Sequence, residues 1–196
     1  MLHNLETIDE RVFLFLNGKH NAFFDFIMYW ASDQYIWIPL YIGLAIYFYR
    51  RFHAATWYLI FCVGLLEAAS DQLSSHVIKN AVRRLRPSHV EALAPYIHLS
   101  KAGPGGDYGF VSSHACNTFA LTVFILLALP AEYRPLKHGM VAWALLVSYS
   151  RIYNGVHYPG DVLCGAIIGS GLAFFAFLLY RRYLGSYLLL VRKVKT

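Results

Sequence analysis

Charge is what this sequence has least of. Asp, Glu, Lys and Arg make up 14% of its 196 residues, whereas a soluble domain carries about 25%. Cysteine is scarce as well, with only Cys62, Cys116 and Cys164 present. An odd number at no zinc-binding spacing argues against a disulfide framework or a cysteine metal site. All three fall in apolar blocks and read as small buried hydrophobes. A basic, cleavable leader is also missing: residues 1–18 mix acidic and apolar side chains, so the first spans are expected to serve as the targeting signal. The sequence has neither an internal repeat nor a low-complexity tract.

What is abundant is apolar surface, 58% of residues, gathered in long blocks rather than at amphipathic spacing. Residues 162–180 form one block without a single charge, and about 20 such residues in a helix cross the hydrocarbon core of a bilayer. Backbone groups find no water there, which leaves helices or closed barrels, and these blocks are too long for barrel strands. Further blocks lie at 22–31, 36–49, 54–77, 115–129 and 141–149, with residues 5–16 read as an amphipathic helix in the interface. The expected fold is therefore all-α, a polytopic transmembrane bundle of about six helices forming a single domain over residues 1–196. Block 22–31 is short and contains Asp25; it reads as a tilted first span in preference to a re-entrant piece.

The formal charge of +6 and pI near 9.2 first suggest nucleic acid, but no basic patch is interleaved with stacking aromatics. Topology accounts for the charge better, because Lys and Arg collect on the cytoplasmic side of membrane proteins. Arg50-Arg51, the turn 134–137, Arg181-Arg182 and the tail 192–195 occupy alternate connections and are assigned to that face. Residues 79–113 and 150–161 then share the opposite face, and their own basic residues need another explanation.

Those two segments hold three clusters: Lys79 with Arg86-Pro87, Ser112-Ser113-His114 at the entrance to an apolar helix, and Ser150-Arg151 with His157 and Asp161. Phosphoryl transfer calls for preorganised cations on the equatorial oxygens, and Arg suits this because its planar fork bonds two oxygens at once. Lys79, Arg86 and Arg151 supply such a cradle, with Ser112, Ser113 and the N–H groups of a helix start as neutral donors. His157 is the candidate nucleophile. Asp161, at i+4, is placed to fix its tautomer, and His114 is the candidate general acid. Taken singly, the basic pair could be an interfacial flank and the serines an N-cap. Their complementary roles on one expected face favour a site. Glu67 and Asp71 read as structural, His76 and His89 as contacting substrate or bordering the site, Asn154 and Tyr158 as shaping it, and the Gly-rich stretch 101–108 as a loop over the pocket.

The three clusters resemble the signatures of the type 2 phosphatidic acid phosphatase superfamily, which includes the vanadium haloperoxidases. Lys79, Arg86 and Pro87 match the first motif in full, as do Ser150, Arg151, His157 and Asp161 the third. In the second, Ser112 and His114 match while Val111 and Ser113 replace Pro and Gly. The resemblance spans residues 79–161. It implies a helical bundle with a site free of metal and cofactor, a phosphohistidine intermediate, and a membrane-embedded lipid phosphate or pyrophosphate as substrate. Undecaprenyl pyrophosphate is the first expectation, ahead of phosphatidylglycerol phosphate, phosphatidic acid and lipid A phosphates, hydrolysed at the outer face of a bacterial cytoplasmic (inner) membrane. Long lipid-facing blocks disfavour a soluble haloperoxidase. A non-enzymatic carrier of anionic lipids would not need the third cluster.

Overall fold

The computed structural model describes residues 2–183, with side chains described for residues 6–182; the basic tail 192–195 lies outside them. The described chain is mainly helical, without a named strand. Its helices are α1 (Leu2–Asn17), α2 (Ala22–Ser32), α3 (Ile38–Phe52), α4 (Ala55–Asp71), α5 (Lys79–Val82), α6 (Ser113–Ala128), α7 (Arg134–Tyr153) and α8 (Pro159–Tyr183). Wide π turns over Gln72–Ile78 join α4 to α5 into one column. Such turns commonly mark functional positions, and this one leads directly into Lys79.

Helix α6 is the centre of the bundle, packed on α4, α7 and α8. Its Ala120, Leu121, Phe124 and Ile125 join Leu66, Trp143, Val147 and Ala173 in the main core. The approach of α6 to α8 depends on glycine. A Cβ at Gly165 would stand 2.5 Å from the Ser112 carbonyl oxygen, and one at Gly169 would collide with that of Cys116. Small residues four apart let two helix backbones meet, as is common in membrane bundles. By contrast, Phe61, Leu65, Ile167, Phe174 and Phe175 are exposed along the outside of α4 and α8, the reverse of a water-soluble bundle.

Among the described residues, five helical columns run between the two ends of the bundle: α3, α4–α5, α6, α7 and α8. Pro159–Arg182 is the one helix among them that is long and apolar enough by itself to cross a bilayer. At one end lie Arg50 and Arg51 of α3, Arg134 and Lys137 of α7, and Arg181 and Arg182 of α8. There Lys137 Nζ donates to the free carbonyls of Leu126 and Leu129, 2.7 Å from each, closing the C-terminus of α6. The three motif clusters lie at the other end.

The expectation that residues 22–31 form a span is corrected. Helix α2 has 11 residues, about 16 Å of rise, against a core of about 30 Å. Its polar partners from Asn21 to Ser32 are Tyr153, His98, Asn154, Arg151 and His114, all at the motif end. The expected interfacial helix, α1, lies at the same end. Its buried Phe13 packs on Tyr158, and Asn17 donates to the carbonyls of His98 and Tyr153. Between α5 and α6 the chain turns back at Arg83, in the left-handed region at φ 53°. Backbone bonds from Arg86 to Asp107 and from Gly109 to Arg84 then close the long loop on itself.

Candidate active site

The ends of α5, α6 and α7 and the turn into α8 surround a cavity of about 570 Å³. Lys79, Arg86, Ser113, His114, Arg151 and His157 all line it, so residues separated by up to 78 positions in sequence meet there. Ser112 does not line it. That residue is fully buried and caps α6, its Oγ accepting from the Ala115 N–H (3.4 Å) while its own N–H donates to the Asp161 carbonyl (3.0 Å). Ser113 does line the cavity, accepting a hydrogen bond from Lys79 Nζ at 2.9 Å. The π turns set Ser75 beside it, with the two hydroxyl oxygens 2.8 Å apart. Ser75 donates in turn to Asp71 (3.0 Å).

Two of the three cations, Arg86 and Arg151, have buried donors without a partner. Arg86 is 8% exposed, its Nε donating to the Tyr108 carbonyl while one terminal nitrogen has no partner. Arg151 donates to the Ser32 hydroxyl, and its buried Nε has no partner. Buried guanidinium groups with free donors are costly unless an anion completes them. Gly105 fits this loop through its left-handed φ of 73°, and a Cβ there would meet Arg86 at 2.7 Å. The stretch 101–108 therefore packs directly on the cradle.

His157 and Asp161 are 1% and 0% exposed. Nδ1 of the histidine lies 3.4 Å from Asp161 Oδ2, which leaves Nε2 as the nitrogen available to a substrate. Burial pushes the His157 pKa well below the usual histidine range, and the charges of Arg86, Arg151 and Lys79 lower it further. The imidazole is thus held neutral, the form that can act as a nucleophile. In the same cavity, His114 Nε2 is 3.2 Å from the Ser32 carbonyl. A carbonyl only accepts, so that nitrogen carries the proton.

Several participants are not evident from sequence. Arg84 donates to Asp161 Oδ1 and to Asp9 Oδ2, both at 2.8 Å, and stacks 4.0 Å over the Tyr158 ring. Asp161 Oδ2 also accepts from the Tyr158 N–H (3.0 Å), so every polar atom of this carboxylate is engaged. Asp9 of α1 accepts from the Gly160 N–H at 2.7 Å. The nearest sequence signal was the basic run Arg83-Arg84-Leu85-Arg86, where burial alone separates the roles: Arg83 is exposed, Arg84 half-buried and Arg86 buried. Ser32, which engages both His114 and Arg151, gave no signal.

A buried cluster of cations facing a neutral imidazole backed by a carboxylate, at one end of an apolar helical bundle, defines a membrane phosphatase. Residues 55–184 match the PAP2 superfamily, and the chain belongs to that superfamily of phosphatases. It is 35% identical over 174 residues to a lipid A 4'-phosphatase of Bacteroides thetaiotaomicron, covering 86% of this chain and 75% of the relative. It is 30% identical over 166 residues to an undecaprenyl-diphosphatase of Sulfolobus acidocaldarius, covering 83% and 74% of the two chains. In fold it resembles the crystal structure of a transmembrane PAP2-type phosphatidylglycerolphosphate phosphatase from Bacillus subtilis. That match has a TM-score of 0.69 at 20% identity over 92% of this chain and 88% of the other. The chain is thus a lipid phosphatase of a membrane fold. Among the described residues, no three His, Cys, Asp or Glu side chains are grouped to hold a metal ion.

Proposed function

We propose that this chain hydrolyses a lipid phosphomonoester, with a lipid A phosphate as the leading substrate, through a phosphohistidine intermediate. The carrying observation is the pairing of buried, partly unpartnered Arg86 and Arg151 with a neutral His157 in one cavity. Lys79, Arg86, Ser113 and Arg151 hold the phosphoryl oxygens. His157 Nε2 attacks phosphorus as the ester P–O bond breaks, and Asp161 stabilises the imidazolium that forms. With its Nε2–H held by the Ser32 carbonyl, His114 in its imidazolium form gives the Nδ1 proton to the departing alkoxide, and Nδ1 then takes a proton from the water that hydrolyses the P–N bond. Ser112 acts through the backbone, holding the start of α6. The higher identity to the lipid A enzyme moves that substrate ahead of undecaprenyl pyrophosphate, which the Sulfolobus relative keeps as the second reading. The catalytic end faces the outer side of a bacterial cytoplasmic membrane, and residues 1–196 act as one domain.

A phosphate-release panel in detergent tests this reading. Lipid A is expected to be dephosphorylated fastest, ahead of undecaprenyl pyrophosphate, phosphatidylglycerol phosphate and phosphatidic acid. Vanadate, a mimic of five-coordinate phosphorus, should inhibit, and a chelator should leave the rate unchanged. Faster release from undecaprenyl pyrophosphate would establish the second reading. Loss of activity on chelation, restored by magnesium, would remove the histidine mechanism.

A further inference from the structure

The cavity is larger than a phosphoryl group requires, and its lining falls into two chemistries. The cations make up one part. The other part is Trp37 just before α3, Tyr41 of α3, Glu67 and Asp71 of α4, Asn117 of α6 and Trp143 of α7. Among the described lining residues, this part has no basic side chain. Trp143 makes edge-on contacts with Trp37 (5.8 Å) and Tyr41 (6.1 Å), so the three rings form one aromatic corner.

Two buried polar atoms there lack a partner. Glu67 Oε1 and Trp143 Nε1 are both buried without a hydrogen bond, and Trp143 is 6% exposed. A buried indole N–H usually finds an acceptor, and an unmade bond of this kind is costly. The indole can only donate, while the carboxyl group supplies an acceptor oxygen. A hydroxyl, which donates and accepts at once, satisfies both. Aromatic faces beside carboxyl and amide groups suit a hydroxylated ring, whose C–H faces are apolar and whose edge is polar. A second phosphate, in contrast, would be buried here without a cation to neutralise it.

We propose that this part of the cavity is a subsite for the hydroxyl-bearing head group of a phosphomonoester, recognised by Glu67 and Trp143, and that it selects against diphosphates of plain hydrocarbon alcohols. The inference rests on the lipid phosphatase reading above and narrows its substrate class. It also gives Glu67 a binding task in place of the structural one expected from sequence.

Phosphatidylglycerol phosphate, phosphatidic acid and farnesyl diphosphate separate the alternatives: a monoester with a free head-group hydroxyl, a monoester without one, and a diphosphate without one. The purified full chain in detergent is expected to rank them in that order by kcat/KM. In Glu67→Gln and in Trp143→Phe, which keeps the ring and loses the N–H, the ratio for the first lipid over the second should fall about tenfold. The vanadate inhibition constant reports whether the cradle survives in each variant. A wild type that prefers farnesyl diphosphate overturns the subsite, as does an unchanged ratio in both variants with vanadate binding intact. A wild type that releases no phosphate from any of the three and does not respond to vanadate would instead overturn the phosphatase reading itself.

Discussion

His157 and His114 line one cavity, and loss of either is expected to cripple hydrolysis of an ordinary lipid phosphate. The leaving group separates them. A nucleophile is needed whatever departs, whereas a general acid contributes about 10²–10⁴-fold when the alkoxide is basic. An aryl phosphate with a good leaving group should therefore restore most of the rate to His114→Ala and none to His157→Ala. Phosphate trapped by rapid acid-free quenching should sit on His157. Equal rescue of both variants, or phosphate on His114, would reverse the assignment. The lowered pKa of His157 also sets a pH dependence. Its ordinary value is about 6.5, so below that pH the unfolded chain takes up a proton that the folded chain refuses. Stability contributed by this group is complete above pH ~6.5 and is lost as pH falls through the folded value. The acid limb of kcat/KM, which reports the free enzyme, should accordingly lie below pH 6.5. In Arg86→Gln, with one nearby positive charge removed, the limb should move to higher pH. A limb fixed at 6.5 in both proteins would mean that His157 is not the group being titrated.

At the scale of elements, the pair α6 and α8 positions the chemistry. His114 lies in the first turn of one helix and Asp161 in that of the other, and Gly165 and Gly169 allow the backbones to meet just below them. Gly169→Ala would push a methyl group into the Cys116 carbonyl, and overpacking of this kind costs about 1–3 kcal/mol. A lower midpoint of thermal unfolding in detergent is expected, with reduced activity. Gly171→Ala, which meets open space, should match the wild type; equal effects would remove the close contact as the cause. The motif residues themselves were legible in the sequence because phosphoryl transfer restricts residue type so strongly at Lys79, Arg86, His157 and Asp161. Their supports were not. Asp9 lies 151 positions from the Gly160 amide that it holds, and nothing local separates Arg84 from its basic neighbours. Helix α2 is apolar enough to be read as a span, and only its length and its partners reveal otherwise. Ser112 and Ser113 were legible as a pair, but which one caps the helix and which faces the cavity depends on helix phase at an unreadable boundary.

For the whole molecule, the motif clusters and the basic flanks lie at opposite ends of the five columns, as the alternation of Lys and Arg along the chain led us to expect. With the basic end in the cytoplasm, a thiol label at residue 106, where a side chain meets open space, should react from outside intact cells and one at residue 134 only after permeabilisation, native cysteines having been replaced. Reaction of both from the same side would defeat the assignment. The glycine contact between α6 and α8 has a pharmacological consequence. It fixes His114, the proposed acid, and Asp161, the proposed orienter of the nucleophile, as one rigid unit, while the walls proposed to read the head group belong largely to α3, α4 and α7. A compound directed only at the rigid unit would inhibit broadly across enzymes built this way. One that also reached Glu67 and Trp143 would gain its selectivity from the helices that carry the substrate preference, and resistance to it would arise there, at little cost to the chemistry.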